Sequence, residues 1–337
     1  MKLFGKDLDK DIVIIAEIGV NHEGSIESAM NLIRLAYESG ADAVKFQSYT
    51  PERFITSDDK ERMKRVKNFH LNESDHLKLI SHATNLGIPF FSTAVTEDWI
   101  PFLKNNTEVI KIASGDITFE PTIRLAAKTG KPVILSTGGA NMQEIRKAID
   151  WFKDSSENKE IKDKLIIMHC VSAYPTPLEK ANLYSINYLK EQTGLTVGYS
   201  NHVQGTIAPL IAMGLGANVI EVHFTDSREN KIFHDHALSL NPSELKDIVD
   251  SSKKIKLSLG EYKKVCLDIE KDNILLIRKG LVAGKEIKAG KIIDKEDLMY
   301  ARPATEFNSS ELLSLIGKVC SSDIEKGHKI TKKNILI

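Results

Sequence analysis

Cysteine is scarce in this chain. Cys170, Cys266 and Cys320 are the only three in 337 residues, far apart and without a Cys-x-x-Cys pair. That argues against a disulfide framework and makes a reducing cytoplasm the expected compartment. An excess of one charge is lacking too. Lys+Arg and Asp+Glu are equal at 46 each, so no global field favours nucleic acid or an anionic membrane. Any anionic ligand must be held by a local cluster. No apolar run approaches a membrane span, and the N-terminal Met-Lys-Leu-Phe-Gly-Lys-Asp has no apolar signal core. A glycine-rich nucleotide loop is also missing, because Gly19 and Gly24 do not make Gly-x-Gly-x-x-Gly. No internal repeat or low-complexity tract occurs.

What the chain does contain is a regular alternation. Short apolar runs fall at 12–17, 43–47, 89–93, 109–112, 132–136, 164–170, 196–199 and 219–223, with amphipathic segments between them. The segment 25–39 places Ala29, Leu32, Ile33, Leu35 and Ala36 at helical spacing. Glycine closes helices just before strands at Gly40, Gly87, Gly130, Gly194 and Gly216. Strands that are apolar throughout and alternate with helices imply a covered parallel sheet, and eight such units imply an α/β fold of the (β/α)8 TIM-barrel type. After about Leu259 the pattern changes. We expect a barrel over 1–260, a charged linker or short helix over 261–277, and a small β-rich domain over 278–337 with a helical stretch near 309–315.

In such a barrel the C-terminal strand ends form the active site. Those ends carry polar groups on essentially every strand. Lys45, Lys111, Ser114, Ser136 and Thr137, with Gly115, Gly138 and Gly139, suit an anion with several oxygens. His202 and His223 close neighbouring strands joined by a helix over 204–216, so both imidazoles should emerge at one edge. With the carboxylates Glu17, Glu221 and Asp235 they suit a divalent metal and a polar substrate, leaving open positions for water and a carbonyl. His169 reads equally as a site residue or a hydrogen-bonded core histidine. His234 and His236 read as loop residues, at least one of them solvated. Cys170 reads as a small buried apolar residue, and the basic stretch 60–67 as a solvated helix face or, failing that, a lid.

Taken in order, these residues resemble the sialic acid synthase family, which makes nonulosonic acids from phosphoenolpyruvate. The matching segments are Ala-Glu-Ile-Gly-Val-Asn-His-Glu-Gly at 16–24, Val-Lys-Phe-Gln at 44–47 and Phe-Ser-Thr-Ala at 91–94. They continue with Ile-Lys-Ile-Ala-Ser-Gly-Asp at 110–116, Leu-Ser-Thr-Gly at 135–138 and Tyr-Pro-Thr-Pro at 174–177. Tyr-Ser-Asn-His at 199–202 and Glu-Val-His-Phe-Thr at 221–225 complete the set. The tail resembles the family's antifreeze-like SAF domain.

The resemblance implies a metal-assisted condensation of phosphoenolpyruvate with an open-chain N-acyl-mannosamine-type hexosamine. Mn²⁺ or Mg²⁺ would sit on His202 and His223. Lys45, Thr93, Lys111, Ser114, Ser136 and Ser200 would hold phosphoenolpyruvate. Glu17, Gln47, Tyr174 and Asp235 would face the sugar or the attacking water, with Glu17 the proton-handling carboxylate and His223 and Asp235 also in the catalytic set. The resemblance further implies a domain-swapped homodimer that brings an arginine, here Arg302, to the sugar's N-acyl group. Ala304 and Glu306 stand where the family commonly has glycine, so that loop takes up positive φ less freely.

Two other readings have distinct signatures. A phosphoenolpyruvate–aldose synthase acting on a phosphorylated sugar such as arabinose 5-phosphate needs a second arginine cluster at the barrel mouth, and arginine is scarce at the expected strand ends. A non-catalytic carbohydrate-binding module predicts erosion of the charged positions, all of which are present.

Overall fold

A computed structural model of the chain describes residues 1–231 and 233–336. It divides into two units, Met1–Gly260 and Glu261–Ile337. The first opens with a two-stranded hairpin, β1 (Lys2–Leu3) and β2 (Lys6–Asp7). Eight parallel strands follow: β3 (Val13–Gly19), β4 (Ala43–Ser48), β5 (Phe90–Ala94), β6 (Ile110–Ile112), β7 (Val133–Ser136), β8 (Leu165–His169), β9 (Thr196–Asn201) and β10 (Val219–His223). They pair in sequence order and β10 closes on β3, so the sheet is a closed barrel. The expected strands are all present, with ends shifted by one or two residues. The helix expected over 204–216 is shorter, Ile207–Gly214, because Gly205 turns the chain at φ +79° before it starts.

Local chemistry sets the helix ends. Ser25 caps helix Ile26–Glu38 by accepting from the Ser28 amide. Asn72, Asn141 and Asn241 each make a reciprocal capping box. All five glycines read as helix stops lie at positive φ.

Period-two alternation along the strands separates two interiors. One phase, with Ile14, Ala16, Val44, Phe46, Ile112 and Val222, packs under the helices. The other phase points into the barrel, where Val13, Ile15, Ala43, Phe91, Val109, Ile134, Ile166, Met168 and Val219 form an apolar plug with Leu3 and Leu8 of the hairpin region. Truncating the fully buried Phe91 to alanine would cost about 3–5 kcal/mol. Two residues further along the same inward phase the chemistry inverts: Ile15 gives way to Glu17, Ala43 to Lys45, Phe91 to Thr93, Val109 to Lys111, Ile134 to Ser136 and Val219 to Glu221. The plug is the floor of the site.

In the second unit, helix Lys271–Ile277 is followed by β11 (Gly280–Ala283), β12 (Leu298–Ala301), β13 (Val319–Cys320) and β14 (Ile335–Leu336), paired as two antiparallel ribbons. A separate core forms around Leu281, Ile287, Ile293, Leu315 and Ile330. Short helical turns occupy Ser309–Glu311 and Leu312–Leu315, where a helical stretch was expected.

Candidate active site

The plug is roofed by a cavity of about 880 Å³, and many of the barrel residues singled out in the sequence line it: Glu17, Lys45, Gln47, Thr93, Lys111, Ser114, Ser136, Tyr174, Ser200, His202, Glu221, His223 and Asp235. Glu17 stands where β3 carries a register shift between Glu17 and Gly19. Gly19 is at φ +55°, and a Cβ there would meet Glu17 Oε1 at 3.1 Å and Gln47 Nε2 at 3.4 Å. Glycine keeps the carboxylate and the amide in place.

Buried charge is the dominant feature. Lys45 Nζ lies 2.9 Å from Glu17 Oε2 and 3.6 Å from Glu221 Oε2, and donates to Thr93 Oγ1 at 2.9 Å. Ser200 Oγ donates to Glu221 Oε1 at 2.9 Å. Burial raises the Glu17 carboxyl to about 7, with the neighbouring Glu221 charge adding and Lys45 opposing. At Glu221 burial acts upward, but Lys45, Lys111 and the Ser200 hydroxyl together hold the carboxyl low. Lys45 resists its own burial through the same two carboxylates and sits above its ordinary value.

Lys111 differs. Its ammonium donates only to neutral acceptors, Ser136 Oγ and the Ile112 carbonyl (3.2 Å), and burial pulls its pKa down. A sealed ammonium without a carboxylate in contact is costly unless an anion arrives. Ser114 lies beside it: its Oγ accepts from the Gly138 amide at 3.0 Å and is 3.0 Å from Cys170 Sγ.

The imidazoles converge as expected. The His202 and His223 rings are 5.4 Å apart, centroid to centroid. His202 Nδ1–H donates to the Val171 carbonyl at 2.7 Å, which leaves Nε2 with its lone pair. His223 Nδ1 is buried without a hydrogen-bond partner. Burial keeps both rings neutral, holding His202 low and His223 at about 3. Two neutral imidazoles, one with an orphaned nitrogen, fit a divalent cation. Among the described residues no group of three His, Cys, Asp or Glu gathers around one point, so the remaining positions would fall to water and substrate. Tyr174 covers His202, 4.1 Å between ring centroids.

Several sequence expectations need correction. Thr137 is outside the cavity: Ser136 points inward, so the next side chain turns outward, and its hydroxyl donates to the Met168 carbonyl. Gly138 and Gly139 are not on the lining either; Gly138 instead provides clearance, since a Cβ would meet Ser172 Oγ at 2.5 Å. His169 follows the inward Met168 and faces the helices, bonding the Ala181 carbonyl and stacking on Tyr199. It is a core histidine. Of the two loop histidines, of which at least one was expected to be solvated, His236 is the buried one, clamped between Thr225 Oγ1 (2.7 Å) and Glu23 Oε1 (3.0 Å). His234 is exposed and pairs with Asp235 at 3.0 Å. Cys170 is buried but also borders the cavity.

Arginine is present at the mouth after all. Arg53 and Arg62 line the cavity from helices beyond the strand ends, with Thr96, Glu97 and Asp116. Strand-end reading passed over them because they follow the strands by several residues. Arg62 lay in the basic stretch 60–67, read as a helix face or a lid, and Asp116 within a quoted segment; burial raises Asp116 to about 6 against the pull of Lys111. Arg302 belongs to the second unit, where its Nε donates to the Ile277 carbonyl. Glu306 accepts from the Lys332 amide at 2.8 Å, and neither Ala304 nor Glu306 adopts positive φ.

A NeuB family model matches residues 32–264 and a SAF domain model matches residues 278–336. The N,N'-diacetyllegionaminic acid synthase of Legionella pneumophila is 35% identical over 336 residues, 96% of this chain and 94% of that protein. The pseudaminic acid synthase of Campylobacter jejuni is 35% identical over 350 residues, 99% of each. The crystal structure of N-acetylneuraminic acid synthetase from Leptospira borgpetersenii, in complex with citrate, superposes with a TM-score of 0.74 at 34% identity, over 78% of this chain and 90% of that one.

Proposed function

The chain belongs to the NeuB family, and from that premise we propose that it condenses phosphoenolpyruvate with an open-chain N-acyl-mannosamine-type sugar, giving a nonulosonic acid and phosphate. The observation that carries this reading is Lys111, a buried ammonium that touches only neutral acceptors at the floor of the cavity. Phosphoenolpyruvate carries up to three negative charges and would supply the missing counter-charge. Ser136, Ser114, Thr93 and Ser200 add directed donors around it, and Lys45 a second ammonium.

Gln47, Tyr174 and Asp235 line the same cavity and would hold the sugar with its aldehyde toward the imidazoles. His202 and His223 would hold a divalent cation, Mn²⁺ or Mg²⁺, whose chemistry when bound is to polarise the aldehyde oxygen. C3 of phosphoenolpyruvate attacks the aldehyde carbon, and the carbonyl electron pair moves to its oxygen. Glu17, raised to about 7, starts protonated often enough to give that oxygen a proton. Water then adds at C2, and the Glu17 carboxylate takes the proton it releases. The tetrahedral intermediate then breaks its C2–O bond to phosphate, and the C2 hydroxyl proton leaves with the departing phosphate, so that a ketone remains at C2.

By the same family resemblance, the working form would be a cytoplasmic, domain-swapped homodimer in which Arg302 of the partner subunit meets the N-acyl group. No helix among the described residues is long and apolar enough to cross a membrane.

A second reading has one observation in its favour. Arg53 and Arg62 border the cavity and suit the phosphate of a phosphorylated aldose. Arg53, however, is already engaged by Glu97 and, at 3.6 Å, Asp98. Phosphate release from phosphoenolpyruvate with Mn²⁺ separates the two readings. Turnover with N-acyl hexosamines supports the condensation proposed here; turnover confined to arabinose 5-phosphate overturns it.

A further inference from the structure

The segment Asn21-His22-Glu23-Gly24 follows β3 directly, yet the condensation uses none of its side chains. They are engaged all the same. Asn21 is buried, and its Nδ2 donates to the Phe224 carbonyl at 2.8 Å and to Ser239 Oγ at 2.9 Å. Ser239 Oγ donates in turn to the Asp235 carbonyl at 2.6 Å. His22 Nδ1 accepts from the Gly24 amide at 3.0 Å, which folds the loop back on itself. Glu23 Oε1 accepts from Nε2 of the buried His236 at 3.0 Å, and the other nitrogen of that ring meets Thr225 Oγ1 at 2.7 Å. A Cβ at Gly24, which sits at φ +84°, would lie 2.2 Å from the Asn68 carbonyl oxygen, so the loop packs hard against the end of helix Lys60–Phe69. That helix also touches the segment ahead of Asp235, Phe69 meeting Phe233 edge to face at 5.2 Å.

These contacts converge on one turn. Barrel closure sets β3 beside β10, so the loops after the two strands are neighbours. Asp235 reaches the cavity from the helix His234–Leu238, five residues long and too short to hold its own shape. Phe233, His236 and Ser239, on either side of Asp235, are the points at which it is tied down. Glu23 holds φ +49°, backbone that a long side chain seldom adopts, and such strain persists where the surroundings use the residue.

From this geometry we propose that Glu23 and His236 are positioning residues: with Asn21 they lock the loop after β3 to the loop after β10 and so hold the Asp235 carboxylate at the cavity wall for the sugar. The role rests on the condensation proposed above, in which Asp235 faces the sugar. Neither Glu23 nor His236 lines the cavity, so their effect passes through Asp235. Without the Glu23 carboxylate, the buried His236 Nε2–H loses its acceptor. The ring can recover one only by moving, and Asp235, the adjacent residue, moves with it.

The test uses the full-length protein with phosphoenolpyruvate, Mn²⁺ and N-acetylmannosamine or, where the wild type does not turn that sugar over, a 2,4-diacetamido-2,4,6-trideoxyhexose. Glu23 is the residue to change, because its side chain is 41% exposed and its loss leaves the core intact. Glu23→Ala should lower kcat/KM for the sugar by about 10- to 100-fold, the scale on which a small misplacement acts, with KM for phosphoenolpyruvate unchanged. Glu23→Gln keeps an acceptor oxygen toward His236 and should restore most of the loss. In an Asp235→Asn background Glu23→Ala should cost nothing further, since the group it positions is already altered. Unchanged sugar kinetics in Glu23→Ala, an equal rise in KM for both substrates, or full additivity with Asp235→Asn overturns the positioning role alone. Wild-type turnover of neither sugar, while phosphoenolpyruvate still binds by calorimetry, overturns the condensation and the positioning role with it.

Discussion

Lys45 Nζ and Glu17 Oε2 lie 2.9 Å apart on neighbouring barrel strands, both side chains almost sealed from solvent. A carboxyl so placed is pulled two ways: burial favours the proton and the ammonium opposes it, leaving Glu17 at about 7. Glu17→Gln should lower kcat by about 10²- to 10⁴-fold, the usual worth of a positioned proton-transfer group. In the wild type the protonated form acts first, so kcat/KM should fall as pH rises through about 7. That limb should vanish in Glu17→Gln. A steady-state pH profile checks both statements.

Lys111→Met should separate binding from stability. The substitution removes a buried charge that no carboxylate contacts and keeps the bulk of the side chain. Thermal stability should hold or rise, because Glu221, the buried carboxylate Lys111 helps to hold low, keeps Lys45 and the Ser200 hydroxyl. Phosphoenolpyruvate binding should weaken by roughly 30-fold or more, corresponding to the ~2 kcal/mol or more at stake when a buried charged contact is truncated. Calorimetry and a melting curve on the same preparation decide it.

His202→Ala and His223→Ala should each remove metal-dependent activity by orders of magnitude while the protein stays folded. Both side chains stand above the apolar plug and contribute little to it. Mn²⁺ titration followed by electron paramagnetic resonance should show the site lost in each variant; an unaltered Mn²⁺ affinity in both would rule out the imidazole pair as its ligands.

Acid sensitivity should come in part from histidines outside the site. His76 is fully buried, with Nε2 2.9 Å from Ser48 Oγ and Nδ1 3.1 Å from the Asn72 carbonyl. Burial lowers it from 6.5 to about 4, and His22 is lowered to about 4 by burial as well. Between those values the unfolded chain binds more protons than the folded one. Stability is therefore complete above pH 6.5 and drains away as pH falls toward 4, by at most on the order of 3 kcal/mol for each ring. His76→Gln should flatten that slope in denaturant melts taken from pH 7.5 to 4.5.

Much of this was legible in the sequence because a barrel repeats one rule eight times. Ile15-x-Glu17, Phe91-x-Thr93 and Val109-x-Lys111 each show an apolar residue followed two positions later by a polar one, and period two alone carries both to the same interior. The same rule explains the errors. Thr137 and His169 stand at strand ends but in the outward phase, so reading ends without phase misplaced Thr137 and left His169 undecided. Arg53 and Arg62 reach the cavity from segments beyond the strands, and nothing local in the chain announces where such segments return. Which of His234 and His236 is solvated was left open because the partners that bury His236, Glu23 and Thr225, are brought to it by folding: Glu23 is 213 residues away in sequence.

The most direct measurement is a crystal of the protein soaked with Mn²⁺ and phosphoenolpyruvate, with anomalous data collected near the manganese edge. The expected map has one anomalous peak bonded to His202 Nε2 and a ring nitrogen of His223, with phosphoenolpyruvate on Lys111 and Ser136 in the same cavity. Manganese bound elsewhere, or phosphoenolpyruvate lying outside the reach of Lys111, would contradict it.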